Sequence, residues 1–412
     1  MRFLFVHQNF PGQYLHLVRH LVAQGTHDIV FITEENGNAI PGVRKAIYRM
    51  PPTPNLGTHQ DAQEFEAGVI RAGLVAAVAA SLRALGFQPD IVIGHHGWGE
   101  LLNMQDVFPG VPLLGYFEFY YNLHGYDVNF EAEFPSPVES LPRIRAKNGI
   151  NLLALTNPGR GQTPTWFQRD TYPAWAQPGI TVLPEGVNLD VCRPDPTARA
   201  APLVLPGFTV QPGDKLVTYV ARDLEPYRGF HVMMRALPAL LRHRPDIKVV
   251  LVGADGVSYG ARLVNSTWRA WLSAEIGPAL DPARVHFPGR LDYAAYVRLL
   301  QRSDAHVYLT YPFVASWSLR EALACGCALV ASDTGPVHEF VRDGVTGLLT
   351  PFQDPAALAE RVLHLLDDPA EAARLGGEAR AYAETALRMA DHIAGYYDLI
   401  NGMTDGRLGP SS

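Results

Sequence analysis

Short apolar runs alternate with helical patterns through most of this chain, and the alternation starts afresh near residue 215. Such a rhythm points to parallel sheets wrapped by helices, because parallel neighbours need a crossover long enough to hold a helix. In the first half Arg2–Val6, Asp28–Thr33, Ile91–Gly94 and Pro112–Phe117 read as strands, with two more expected around Leu152–Leu155 and Thr181–Pro184. Helices are expected over Gln13–Gln24, Phe65–Leu85 and Leu101–Val107, and a polar loop rich in Pro and Asn reaches to about residue 60. Residues 196–214 are proline-rich and read as a linker. The second half repeats the scheme, with strands at Leu216–Val220, Lys248–Gly253, Val285–Phe287, Ala305–Thr310 and Leu329–Ser332. Its helices are expected at His231–His243, Tyr293–Arg302, Leu319–Ala324 and Pro355–Leu366. The expected fold is α/β: two doubly wound, Rossmann-like domains, residues 1–195 and 205–385, facing one another across a cleft. The helical segment Ala373–Leu399 is expected to end the second domain, with residues 386–402 packing back on the first and residues 403–412 a frayed tail.

Composition narrows the function classes. A chain of 412 residues with 47% hydrophobic and 18% charged residues is globular and long enough for two cores. A net charge of −7 argues against a nucleic-acid binder. Cys192, Cys325 and Cys327 form neither a disulfide framework nor a metal spacing, and read as buried thiols in a reducing, cytoplasmic setting. No secretory signal is expected at Met1–Val6, and the apolar stretch Ala72–Leu82 falls short of a membrane span. Peripheral contact with the inner face of a membrane stays open.

In doubly wound sheets ligands bind beyond the carboxyl ends of the strands, so the residues leaving each strand are the candidates. After Arg2–Val6 come His7, Gln8, Asn9, Phe10, Pro11 and Gly12, where a glycine lets a phosphate or sugar approach the backbone; an ordinary strand-to-helix turn is the alternative. After Leu216–Val220, Arg222 and Arg228 stand six apart around a turn, placed to converge on a diphosphate with forked donors. Ion pairing of these arginines to Asp223 or Glu225 is the competing reading. Arg290 and Leu291 follow a third strand end, near a base edge or in a plain turn. Residues 313–329 form a polar turn, a small-residue helix carrying one carboxylate, Glu321, and an apolar strand. A carboxylate accepts both hydroxyls of a ribose, and the helix start suits a diphosphate. An Ala/Leu core helix whose Glu321 merely complements the dipole is the other possibility. His95 and His96 close a further strand with no third metal ligand at a suitable spacing, which favours contact with an acceptor. Glu118 follows the strand ending at Phe117; it either steadies a reacting sugar or pairs with Arg143 or Arg145. The aromatic run Tyr116, Phe117, Phe119, Tyr120 and Tyr121 reads as half core and half platform.

Together these segments resemble glycosyltransferase family 4. The residues that carry the likeness are Arg222 to Arg228-Gly229, Val285-His286-Phe287-Pro288-Gly289, Ser303-Asp304-Ala305, Ser318 to Gly326, and Asp343 to Leu349, in order across residues 217–366. The first half is similar to one subgroup of that family through its His7-to-Gly12 loop, Gly97-Trp98-Gly99-Glu100 and Tyr116 to Tyr121, and Glu185-Gly186-Val187-Asn188 resembles the family's join between domains. The resemblance implies a GT-B fold with an acceptor-side first domain and a nucleotide-sugar donor domain second. It implies retaining transfer of a sugar from a UDP- or GDP-linked donor to a hydroxyl-bearing glycan, glycolipid or small molecule, without cofactor or metal, in polysaccharide or glycoconjugate biosynthesis. Carried over by position, Arg222 and Arg228 bind the diphosphate, Arg228 replacing the family's usual lysine. Glu321 holds the ribose, and Ser316, Trp317 and Ser318 donate near the phosphates and sugar. Gly12 lets the first loop approach the diphosphate, and Arg290 and Leu291 border the base. The chain departs from the family pattern at Phe313, eight residues before Glu321, where a glutamate is usual, and at Glu118, where many relatives place a histidine. Phe313 keeps a second class in view, a catalytically silent nucleotide-sugar or glycan-binding partner of another transferase. A third, an epimerase, has only Glu118, His95 and His96 to offer as acid and base.

Overall fold

The computed structural model describes residues 1–51 and 57–410, in two compact units: Met1–Gly186 with Ala390–Ser412, and Val187–Met389. The strands are β1 (Arg2–Val6), β2 (Asp28–Glu34), β3 (Val43–Tyr48), β4 (Ile91–His95), β5 (Leu113–Tyr116), β6 (Arg160–Thr163), β7 (Ile180–Val182), β8 (Leu203–Leu205), β9 (Phe208–Val210), β10 (Lys215–Asp223), β11 (Ile247–Ala254), β12 (Val285–Gly289), β13 (Ala305–Tyr308), β14 (Leu329–Ser332) and β15 (Leu348–Thr350). The first unit holds a seven-stranded sheet in the order β3-β2-β1-β4-β5-β6-β7, the second a six-stranded sheet in the order β12-β11-β10-β13-β14-β15. Every pairing within these two sheets is parallel. Central strands are mostly apolar because helices cover both faces; β4 and β13 are buried at every residue, His95 and His306 included.

Each sheet reverses its order beside its first strand. Phe3 pairs with Ile29 on one side and Ile91 on the other, and Val217 pairs with Val249 and Ala305. At such a switch point the loops leaving neighbouring strands diverge, opening a crevice at the carboxyl ends. His7 and His95 stand there in the first unit, and residues 221–230 and 309–317 stand there in the second.

Several expectations are corrected. Leu152–Leu155 is the last turn of a helix, Leu141–Leu155, and the sixth strand is the polar β6. The expected loop before residue 60 contains the edge strand β3, and its residues 52–56 lie outside the described residues. The 196–214 linker folds as an antiparallel hairpin, β8 with β9, turning at Pro206 and Gly207 and burying Leu205 and Val210 against Leu216, Val250 and Leu299. The expected Leu101–Val107 helix is regular only over Met104–Val107. Ala373–Leu399 is two helices, Pro369–Ala386 and Met389–Met403. Residues 404–410 are tied down rather than frayed, since Asn401 Oδ1 accepts from the amides of Leu408 and Gly409; residues 411–412 lie outside the described residues.

Helix Gln63–Ala84 turns Gly68, Ala72, Val75 and Ala79 inward at helical spacing. With its leading turn, Gln60–Ala84, it is long and apolar enough to cross a membrane by length and composition, more than the sequence suggested. In the fold Val75 and Ala79 pack into the core with Leu4, Val30 and Val92. The last helix returns to the first unit, where His392 Nδ1 lies 2.8 Å from the Pro184 carbonyl and Gly395 leaves room for Leu183.

Candidate active site

At the end of β10 the chain turns through Pro226–Arg228, passes Gly229 and enters the helix Phe230–His243. Both acidic residues of this turn are committed. Glu225 is fully buried and accepts the amides of Ser258 and Gly260 at 3.0 and 2.8 Å, while Asp223 accepts the Ser258 hydroxyl and lies 3.6 Å from Arg290. Arg222 is exposed and has no hydrogen bond or ion pair among the described residues, so neighbouring carboxylates do not neutralise it. Arg228 is buried: its Nη1 donates to Thr310 Oγ1 at 2.7 Å and to the Val314 carbonyl at 2.9 Å, and its guanidinium lies 5.0 Å from the centre of the Tyr259 ring. The same cation thus pins the loop after β13 that leads into the Glu321 helix.

That loop is aromatic. Phe313 is buried, 5.0 Å from Tyr259 and 5.8 Å from Tyr227 between ring centres, and Tyr227 stacks on Tyr311 at 4.5 Å. The Ser316 amide donates to the Tyr308 hydroxyl at 2.8 Å, which takes it out of the set of free helix-start donors, and the Ser316 and Ser318 hydroxyls are 2.6 Å apart. Trp317 is half exposed at the first position of the helix Trp317–Ala324. That helix buries Leu319, Ala322 and Leu323 but leaves Glu321 partly exposed, its Oε1 and Oε2 accepting from Tyr293 and Tyr296, each at 2.8 Å. Burial pushes the Glu321 carboxyl up, and the two phenols oppose that shift. Arg290 is exposed, whereas Leu291 is partly buried and packs against the core beside Leu299.

In the first unit two histidines meet edge to face, His7 and His95, with ring centres 5.2 Å apart. The Asn9 amide donates to His7 Nδ1 at 2.8 Å and the Gly97 amide to His95 Nδ1 at 3.0 Å, so each neutral ring carries its proton on Nε2. His95 Nε2 faces Glu118 Oε2 at 3.4 Å. Arg143, one of the two alternative partners for Glu118, binds Glu64 at 2.6 Å. The loop holding Gly12 is anchored by the Gln8 amide on buried Glu100 Oε1 at 3.1 Å, and Gly12 has a φ of 55° with His7 close beneath it. His96 turns inward against Phe117, over Gly115, where a Cβ would come within 2.0 Å of its ring. Phe117 and Phe119 are buried, while Tyr120 and Tyr121 are partly exposed. Among the described residues no group of three or more His, Cys, Asp or Glu is arranged to hold a metal ion.

Burial, reinforced by neighbouring His95, holds His7 and His96 below the usual histidine range, His96 at about 3; burial alone takes His306 of the second unit to about 3. These rings are neutral when folded and protonate near pH 6.5 when unfolded, so acid favours the unfolded chain. Stability is complete above about pH 6.5 and falls below it, each such ring contributing about 1.4 kcal/mol per pH unit. Denaturant titrations at pH 7.5 and pH 5 are expected to show the lower midpoint at pH 5; equal midpoints contradict the buried neutral rings.

Sequence reasoning missed Tyr293, Tyr296 and Thr310, which hold Glu321 and Arg228 in place, and the Ser258–Gly260 amides, which occupy Glu225. The two tyrosines three apart behind Asp292 were legible only as part of a helix.

Two family models match the chain in succession. The glycosyl transferase family 4 group model matches residues 25–192, and the glycosyl transferases group 1 model matches residues 207–382. The chain belongs to glycosyltransferase family 4. The first match begins after the His7–Gly12 loop. A similar protein is the D-inositol 3-phosphate glycosyltransferase of Thermobispora bispora, 30% identical over 220 residues, which are 52% of this family 4 chain and 49% of the relative. The chain therefore spans about half the length of the curated relatives it matches. Among solved structures, sucrose-phosphate synthase from Thermosynechococcus elongatus superposes with a TM-score of 0.74 at 20% identity, covering 98% of this chain and all of the other. Anabaena HepE in complex with UDP and glucose gives 0.70 at 15% identity, covering 98% and 100%. These likenesses establish the GT-B class of fold.

Proposed function

We propose that this family 4 glycosyltransferase moves a sugar, with retention of configuration, from a UDP- or GDP-linked donor to a hydroxyl acceptor, the second unit holding the donor. One observation carries the reading. At the switch point of the second sheet, Arg228 is bonded to the very loop that starts the Glu321 helix, and Arg222 stands exposed at the end of β10, unpaired among the described residues. Two guanidiniums and a diol-accepting carboxylate on adjoining strand ends suit a ribonucleoside diphosphate. The name of the Thermobispora relative supports glycosyl transfer as the chemistry, and family membership does not favour a silent binding partner.

Departure of the diphosphate places negative charge on its oxygens and positive charge on the anomeric carbon. Fixed positive charge aimed at the leaving group is usually the largest catalytic contribution. Arg222 and Arg228 supply it, with main-chain donors near Ser318. Among the described residues no pair of carboxylates is set as nucleophile and acid, so attack on the face the diphosphate leaves is the preferred course, the departing phosphate oxygen accepting the acceptor's proton. Glu118, facing a His95 whose Nε2 carries the proton, is the carboxylate assigned to steady the cationic sugar. Glu118→Gln is expected to lower kcat about 10²-fold while the donor KM changes within about threefold; an unchanged kcat removes Glu118 from the mechanism.

The reading is tested by incubating the purified chain with UDP- and GDP-sugars and polyol, glycan and glycolipid acceptors. Nucleoside diphosphate release should require an acceptor, and the product's anomeric configuration, read by NMR, should match the donor's. Consumption of donor without acceptor, or an inverted product, overturns it.

A further inference from the structure

Glu321 is gripped from one side by two phenols. Tyr293 and Tyr296 lie three residues apart on the helix Tyr293–Arg302, so their rings share a face, 6.0 Å between centres. Tyr293 donates to Oε1 and Tyr296 to Oε2, each at 2.8 Å. These are charge-assisted bonds, stronger than neutral ones. Tyr293 oxygen also stands 3.3 Å from Cys192 Sγ. The phenol has one proton, and it is committed to Glu321, so the Cys192 thiol is the donor in that contact. The chain thiol–phenol–carboxylate fixes the Tyr293 hydroxyl from behind. Tyr296 and Cys192 are buried, and the Tyr293 ring is 51% exposed.

An ionised carboxylate has about four lone-pair sites. With one site on each oxygen filled by a phenol, one on each oxygen remains, and the plane of the group can no longer turn. We propose that Tyr293 and Tyr296 are positioning residues for the donor: they set the Glu321 carboxylate so that its two remaining acceptor sites meet the 2′- and 3′-hydroxyls of the nucleotide's ribose. The proposal rests on the reading of Glu321 as the ribose ligand. A diol needs two acceptors at fixed separation, and a carboxylate free to rotate offers that pair only part of the time. Leaving out the phenols also leaves burial opposed only by the charge of Arg320, on a group that must be ionised to accept through both oxygens.

The test is calorimetric binding of UDP, GDP, dUDP and dGDP to the full chain between pH 5 and pH 8. The parent is expected to bind the ribose form of its preferred nucleotide at least about tenfold tighter than the 2′-deoxy form. The combined Tyr293→Phe, Tyr296→Phe variant is expected to narrow that preference to under about threefold and to move the acid limb of binding to higher pH. Tyr293→Phe alone, at a half-exposed ring, keeps the test available if the double variant does not fold, and should narrow the preference in part. A folded variant with the parent's ribose preference and pH profile overturns the clamp. Glu321→Gln separates the two ideas. Preference lost in that variant but intact in the tyrosine variants defeats the clamp alone; preference intact in Glu321→Gln, or absent from the parent, defeats the reading of Glu321 and the clamp with it.

Discussion

Arg222→Ala is expected to lower kcat/KM at least about 10²-fold, the scale for removing one charge-stabilising group from a transition state. The fold should barely register the change. Arg222 is exposed and makes no hydrogen bond or ion pair among the described residues, and surface substitutions of that kind stay within about 0.5 kcal/mol. Its neighbours have other work: Glu225 holds the 258–260 amides and Asp223 holds Ser258. A cation left unpaired among the described residues at a strand end, just ahead of two carboxylates turned elsewhere, is available to a ligand. Arg222→Lys should recover part of the loss, since it restores charge but not the forked geometry. Arg228 is a poorer probe, because its removal also leaves Thr310 and the Val314 carbonyl without their donor. Steady-state kinetics beside a thermal melt decides the matter: activity within a few-fold of the parent refutes the assignment.

The parts of the fold that were legible in the sequence are those whose apolar residues announce burial on their own. Residues 3–6, 91–93 and 329–331 are apolar because sheet faces and helices enclose them, and each lies where its pattern placed it. The sixth strand, Arg-Gly-Gln-Thr, carries no such signal. It is buried by its place between β5 and β7 rather than by its own side chains, with Gly161 admitting Phe117 and Gln162 reaching the Leu183 carbonyl. The edge strand β3 is half exposed, so its apolar residues are too few to stand out from the polar loop around them. The site divides in the same way. Glu321 was conspicuous as the one carboxylate in a helix of small residues, and Arg222 and Arg228 by their distance from a strand end. What orients Glu321 and Arg228, and what occupies Glu225, comes from elsewhere in the chain: tyrosines 25 and 28 residues before Glu321, a threonine 82 residues beyond Arg228, and amides 33 to 35 residues beyond Glu225. Residue type suggests a candidate, but only three-dimensional neighbours show whether its charge is already spent.

Gly229→Ala is expected to cost about 2–5 kcal/mol, from two sources that can be separated. Gly229 has a φ of 68°, and a side chain in that left-handed region costs about 1–2 kcal/mol. Its Cβ would also lie 2.4 Å from Leu309 Cβ and 2.7 Å from Leu309 Cδ1. A Cβ cannot swing aside as the end of a long side chain can, and Leu309 is buried beside Thr310, the partner of Arg228. Relief therefore requires the strand exit and the Arg228 turn to move apart, an overpacking penalty of about 1–3 kcal/mol. Against a total stability of about 5–15 kcal/mol this is a large fraction, a fall of about 5–15 °C in the melting midpoint for a unit of this size. Gly344→Ala is the control: the same φ of 68°, but nothing within 4 Å of an added Cβ, so only the backbone strain applies. The difference between the two melts measures the overlap with Leu309. Activity of Gly229→Ala should also fall well below its melt, because displacing the turn displaces Arg228, whereas Gly344→Ala should keep the parent's rate. Equal melting losses for the two variants contradict the close approach of Gly229 to Leu309, and full activity in Gly229→Ala contradicts the dependence of the donor site on that turn.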